Sequence, residues 1–155
     1  MGTRSLTYIE ESFAVAAEKY ICTTDDEKNN NEVHEEKQNI LCMYRQYDGY
    51  LSGHGAELAE FLHGFNIVNG IRLGTPKRTA NGMGCLAAQL IAHFKDGIGN
   101  IYIHNPNDKD CGEEYTYTIY EEGGKVCIRA YDVWAEKIIF DGSPEEMLAL
   151  AKAQV

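Results

Sequence analysis

Side chains able to do chemistry concentrate in one segment, Tyr44-Arg45-Gln46-Tyr47-Asp48-Gly49-Tyr50-Leu51-Ser52-Gly53-His54-Gly55. Asp48 and His54 lie across a turn from one another, and a carboxylate beside an imidazole is a natural acid–base pair. The plainer reading of the same two residues is that Asp48 caps the turn and His54 caps the helix after it. Two glycine turns, Gly53-His54-Gly55 and Asn81-Gly82-Met83-Gly84, lead into helical patterns. A helix N-terminus offers unpaired N–H groups at a positive dipole end, which suits a phosphate or carboxylate. Arg45, Arg72, Lys77 and Arg78 are available to neutralise such an anion, and Tyr44, Tyr47 and Tyr50 offer flat faces to a base. These features predict a small anionic ligand of the nucleotide kind. Its candidate contacts are Arg45, Tyr47, Asp48, Tyr50, Gly53, His54, Gly55, Arg72, Lys77, Arg78, Asn81, Gly82 and Gly84. Neither glycine turn is a P-loop or a dinucleotide fingerprint, and no cofactor is expected.

Metal chemistry has less to work with. None of His54, His63, His93 and His104 has a second ligand at i, i+4 in a recognisable pattern, and there is no Cys-x-x-Cys pair, so no metal is expected. Cys22, Cys42, Cys85, Cys111 and Cys127 are odd in number and scattered, and four have apolar neighbours, as free core thiols in a reducing compartment do. Cys111 differs, because Asn107-Asp108-Lys109-Asp110-Cys111-Gly112 is a polar turn that could expose a reactive thiol.

The elements that must position these residues follow from hydrophobic period and turn chemistry. Residues 4–9 alternate as a strand, and Phe13 to Tyr20 is either helical or a strand continuation. Thr23 to Gln38 is polar, with three consecutive asparagines, and reads as a loop. Asn39 to Arg45 is a short apolar run expected of a strand buried on both faces. Ala56 to His63 reads as a helix stopped by Gly64, and Met83 to Lys95 as a second, largely buried helix after a loop from Asn66 to Gly82. Residues 101–104, 115–120, 126–131 and 136–140 then read as an antiparallel meander. Ser143-Pro144-Glu145-Glu146 has the form of a capping box opening a last helix through about Ala153. The predicted fold class is α+β, a mixed or antiparallel sheet with a C-terminal β-meander and about three helices mainly on one face. Trp134 and the meander tyrosines are expected to pack on the sheet. Alternatively, Tyr115, Tyr117 and Tyr131 form an exposed ladder for a homo-oligomer or partner.

The chain, residues 1–155, reads as a single domain, with residues 10–38 as an acidic insertion or mobile loop within it. Asp and Glu outnumber Lys and Arg by 24 to 14, a net charge of −10, which argues against duplex nucleic acid as a partner. No apolar run approaches the roughly 20 residues of a membrane span, and the N-terminal residues lack a secretory apolar stretch, so a cytoplasmic location is expected.

Thr3-Arg4-Ser5, the Tyr44–Gly55 segment, residues 80–94 and the tyrosine-rich meander together resemble a family of small bacteriophage and prophage proteins of unassigned activity. The resemblance leaves out the acidic stretch from about Glu10 to Gln38. It implies a viral or mobile-element setting, with the host cytoplasm as the location, and carries no residue roles. In that setting the residues suggest a non-enzymatic binding protein that sequesters a nucleotide-type immune signal of the host. One alternative is an acidic inhibitor that binds a host defence or nucleic-acid-binding protein through residues such as Asp25 to Glu36. A further alternative is a small nucleotide hydrolase using Asp48 and His54.

Overall fold

Strands dominate where β-branched and aromatic residues alternate with polar ones, and helices where apolar residues recur every three or four positions. The computed structural model describes residues 2–16 and 33–154. In chain order these form β1 (Ser5–Ala16), β2 (Val33–Arg45), a π-helical turn (Leu51–Gly55) running into α1 (Ala56–Leu62), β3 (Asn66–Val68) and β4 (Thr79–Asn81). There follow α2 (Gly82–Phe94), β5 (Ile101–His104), β6 (Tyr115–Glu122), β7 (Lys125–Asp132), β8 (Lys137–Gly142) and α3 (Pro144–Ala153). The fold is α+β: eight strands form one curled, mixed sheet in the order β4-β3-β7-β6-β1-β2-β5, with β8 also paired to β7.

The first strand lies inside the sheet. It runs antiparallel to β2 and parallel to β6, with Ser5 to Ile9 opposite Tyr115 to Ile119. Beyond Ile9 the β6 partner ends, and β1 continues with β2 alone as a two-stranded ribbon, after a bulge at Ile9/Glu10. A ribbon with water on both faces satisfies its backbone through cross-strand bonds and needs no apolar alternation. Hence Glu35, Glu36, Lys37 and Gln38, read as loop from their polarity, are exposed residues of β2. Phe13 to Ala16 likewise continue the strand rather than starting a helix. The acidic stretch is therefore sheet at residues 10–16 and 33–38, while Asp25, Asp26, Glu27 and Glu32 lie outside the described residues, as does Cys22.

Three further expectations change. The predicted loop from Asn66 to Gly82 contains β3 and β4, a short parallel pair at the sheet edge. β5 leaves the predicted meander and pairs with β2 at the other edge, so the meander proper is β6-β7-β8. Trp134 sits in the β7–β8 turn and is 83% exposed, whereas Tyr117 is fully buried. The predicted tyrosine ladder is thus interrupted at its centre.

All three helices contribute to one core. Leu58 and Leu62 of α1, Leu86 and Leu90 of α2 and Met147 of α3 pack over Ile9, Met43, Tyr117, Ile119 and Ile128 of the sheet. Gly64, with φ 75°, turns the chain out of α1 in the left-handed conformation that glycine adopts without a side-chain clash. The predicted capping box opens α3: the Ser143 hydroxyl accepts from the Glu146 N–H, and the Glu146 carboxylate accepts from the Ser143 N–H. The opposite sheet face carries a smaller cluster of Leu6, Cys42 and Tyr44, backed by Tyr8 and Cys111. Register explains the division, since Thr7 lies opposite Met43 on one face while Leu6 and Tyr8 lie opposite Tyr44 and Cys42 on the other. The four described cysteines Cys42, Cys85, Cys111 and Cys127 are free thiols.

Candidate functional site

β2 ends by delivering Arg45 to the helix face, and the following turn bends back to bring His54 against it. Asp48 adopts φ 59°, and its carbonyl accepts from the His54 N–H at 2.7 Å. Gly53 must be glycine here, because a Cβ would lie 2.4 Å from the Asp48 carbonyl oxygen. The N–H groups of Gly53 and Gly55 both bond to the Tyr50 carbonyl. Gly53, His54 and Gly55 therefore spend on local carbonyls the donors that sequence reasoning offered to an anion.

His54 is fully buried. Its Nδ1 lies 2.9 Å from Arg45 Nη1, and its Nε2 lies 2.7 Å from Thr7 Oγ1. A guanidinium nitrogen only donates, so Nδ1 accepts and Nε2–H donates to Thr7. Burial, followed by the Arg45 charge, drives the His54 pKa well below its ordinary value and keeps the ring neutral. Phe94 and Tyr117 stand edge-on to the ring, each with a centroid separation of 5.2 Å. Instead of capping α1, His54 is a core residue with both ring nitrogens engaged. Asp48, by contrast, faces solvent, accepting from the Tyr50 hydroxyl at 3.3 Å and lying 4.0 Å from Arg45 Nη2.

Arg45 links this interior to the surface. Its Nε donates to the Tyr47 carbonyl at 2.7 Å, and its Nη1 also donates to the Glu57 carboxylate on α1. The chain Thr7–His54–Arg45–Glu57 thus runs from β1 to the rim of a cleft of about 620 Å³. One wall is α1, with Glu57, Glu60 and Phe61; the other is α2, with Gln89, His93 and Phe94. Lys77, Arg78 and Arg45 add three positive charges against the two glutamates, a local excess of cations in an acidic protein. The Phe61 and His93 rings stack at 4.4 Å and supply a flat aromatic surface. Arg78 Nη1 donates to the Phe61 and His63 carbonyls, closing the C-terminal end of α1 while leaving its other nitrogens outside those two bonds.

Of the predicted ligand contacts, Arg45, Lys77 and Arg78 meet in this cleft. Arg72 lines a separate concavity beside β3, with its N–H bonded to Thr75 Oγ1. Tyr47 and Tyr50 are exposed and do not line the cleft, and Tyr44 packs on the opposite sheet face. Asn81, Gly82 and Gly84 open α2 away from the cleft, and the Asn81 side chain accepts from the Gly70 N–H at 2.8 Å. Phe61 and Phe94 fall on the apolar faces of the two predicted helices, and sequence reasoning left Glu57, Glu60 and His93 without a role in a site. The available signal was His93 in the last turn of the second helix, on a segment otherwise rich in apolar residues.

A second group joins residues that the sequence reading weighs apart, dismissing His104 as a ligand and treating Cys111 only as an exposed thiol. His104 on β5 lies near Asp108 and Cys111, and one donor atom from each falls within 4.8 Å of the others. His104 and Asp108 are i, i+4, but on a turning chain rather than a helix.

The fold and cleft define an α+β protein whose sheet ends against an aromatic, cation-lined groove between two helices. Comparison with protein-family models, curated proteins and solved structures gives no significant match. Among the described residues no helix is long and apolar enough to cross a membrane.

Proposed function

We propose that the protein is a non-enzymatic binding protein that takes a small aromatic anion of the nucleotide class into the α1–α2 cleft. The observation that carries this reading is the convergence of Arg45, Lys77 and Arg78 beside the Phe61–His93 stack. A base would lie against the stacked rings, and its phosphate would meet Lys77 and the outward nitrogens of Arg78. Binding rather than hydrolysis is favoured because His54, the notional base, has its lone pair taken by Arg45, leaving no free general base at that ring. With the resemblance to phage proteins, the role that follows is sequestration of a nucleotide-type host signal.

Native mass spectrometry after exposure to a panel of linear and cyclic nucleotides tests this directly. A ligand retained under native conditions and released intact on unfolding is the expected result. The Lys77→Glu variant should weaken retention at least tenfold while shifting the melting temperature by less than about 3 °C, because its side chain is exposed. A chemically altered nucleotide would replace sequestration with turnover. No retained mass would remove the cleft reading in favour of an acidic surface that binds a host protein.

A further inference from the structure

We propose that His104, Asp108 and Cys111 form a divalent transition-metal site, of the kind zinc occupies, on the sheet face opposite the cleft. His104 Nδ1 lies 3.4 Å from an Asp108 carboxylate oxygen and 3.5 Å from Cys111 Sγ. The first separation exceeds the usual N–H···O range of about 2.7–3.2 Å, and one ring nitrogen carries a single proton at most to share between two neighbours. As separations between ligands of one cation these two fit well, and the third pair of donor atoms lies within 4.8 Å. Zinc bonds of about 2.0–2.1 Å to nitrogen, 2.0–2.2 Å to oxygen and 2.3 Å to sulfur place neighbouring corners of a tetrahedron about 3.3–3.6 Å apart. An imidazole, a carboxylate and a thiolate are also the mixed donor set that a borderline-soft cation selects over magnesium or calcium.

The surroundings hold the donors in place. The Tyr44 ring stacks behind His104 at 5.3 Å. The Asn105 N–H donates to Asp108 Oδ2, and the Tyr8 hydroxyl donates to the Asp108 carbonyl. Glu113 accepts from the N–H groups of both Asp110 and Cys111. Such partners fix the orientation of first-contact ligands in metal sites. The neighbourhood is also acidic, with the like-charged carboxylates of Asp108 and Glu113 gathered around Cys111. A dication relieves that repulsion. On binding, the Cys111 thiol passes its proton to solvent and the thiolate becomes a ligand. His104 and Asp108 retain side-chain exposures of 31% and 38%, so a cation can enter, and a fourth position remains for water or an exchangeable ligand.

Titrating the purified full-length protein with Co²⁺, then displacing it with Zn²⁺, tests the site apart from any nucleotide. The expected result is one equivalent of cobalt giving a thiolate-to-metal charge-transfer band in the near ultraviolet, with tetrahedral visible absorption lost when zinc is added. Cys111→Ser should abolish the charge-transfer band, and His104→Gln should weaken binding at least tenfold; Cys85→Ser should change neither. Circular dichroism melting of each metal-free variant separates lost coordination from lost folding. Absence of a charge-transfer band in the parent protein, or a band that survives Cys111→Ser in a folded variant, would overturn the assignment.

Discussion

On the helix face of the sheet His54 is closed on every side, while on the opposite face His104 shares one ring nitrogen between a carboxylate oxygen at 3.4 Å and a thiol at 3.5 Å. Both are placed by a strand and a following turn. The difference is in how their polar atoms are used. Thr7 and Arg45 exhaust the hydrogen-bonding capacity of His54, so its contribution is to join β1, β2 and the turn before α1. His104 has one ring nitrogen, with a single proton at most, facing two neighbours whose distances suit a shared cation. A histidine whose needs are met acts as architecture, and one whose needs are half met remains available to a ligand.

The largest expected effect comes from exchanging the two histidines for alanine. His54→Ala leaves the Arg45 and Thr7 groups buried beside a cavity and should cost about 3–4 kcal/mol of unfolding free energy. His104→Ala in metal-free protein should cost less than about 1 kcal/mol. Urea denaturation of both variants measures the contrast, and equal losses would break it.

Acid sharpens the same comparison. The folded pKa of His54 is depressed below 6.5, so below pH 6.5 the unfolded chain binds a proton that the folded chain refuses. This stability is fully present above pH 6.5 and is lost as pH falls toward the folded value, by up to about 1.4 kcal/mol per unit. The slope of unfolding free energy against pH between 6.5 and 5 should flatten in His54→Gln.

The smallest effect concerns the exception on the closed face. Ser5 is fully buried, and its hydroxyl is the one buried side-chain polar atom without a partner among the described residues. Ser5→Ala should leave stability unchanged or raise it by about 1 kcal/mol, since a buried unsatisfied hydroxyl is removed. A measurable loss would mean that the hydroxyl supports the neighbouring turn at Gly49, where an added Cβ would lie 2.9 Å from the Ser5 Cβ.

Those contrasts also mark where sequence reasoning succeeds. The Ser143–Glu146 box, Gly64 and the β6–β7 hairpin are legible because their causes lie within a few residues. The ribbon at residues 33–38 is not, since its polar side chains say nothing of a partner strand that satisfies the backbone. In the cleft, the cations Arg45, Lys77 and Arg78 are visible as charges, but their meeting depends on α1 and α2 packing across the sheet. His54 looks like a cap because its type and turn suit one; only the register that places Thr7 beside it makes it core. The His104, Asp108 and Cys111 group is compact in sequence, yet i, i+4 spacing signals a shared face only when the segment is helical. Here a turn performs that function.

The pairing of residues 5–9 with residues 115–119 bears on how the molecule is made. Leu6 and Ile9 are made 110 residues before their β6 partners, Thr116 and Ile119. Until that strand arrives, the β1–β2 pair presents an unpaired apolar edge that a second copy of the same pair could occupy. Closure across so long a separation is slow compared with helix formation. Assembly of this sheet is therefore a race between making β6 and meeting a neighbour, and the exposed charges of the ribbon beyond Ile9 are well placed to slow the wrong encounter.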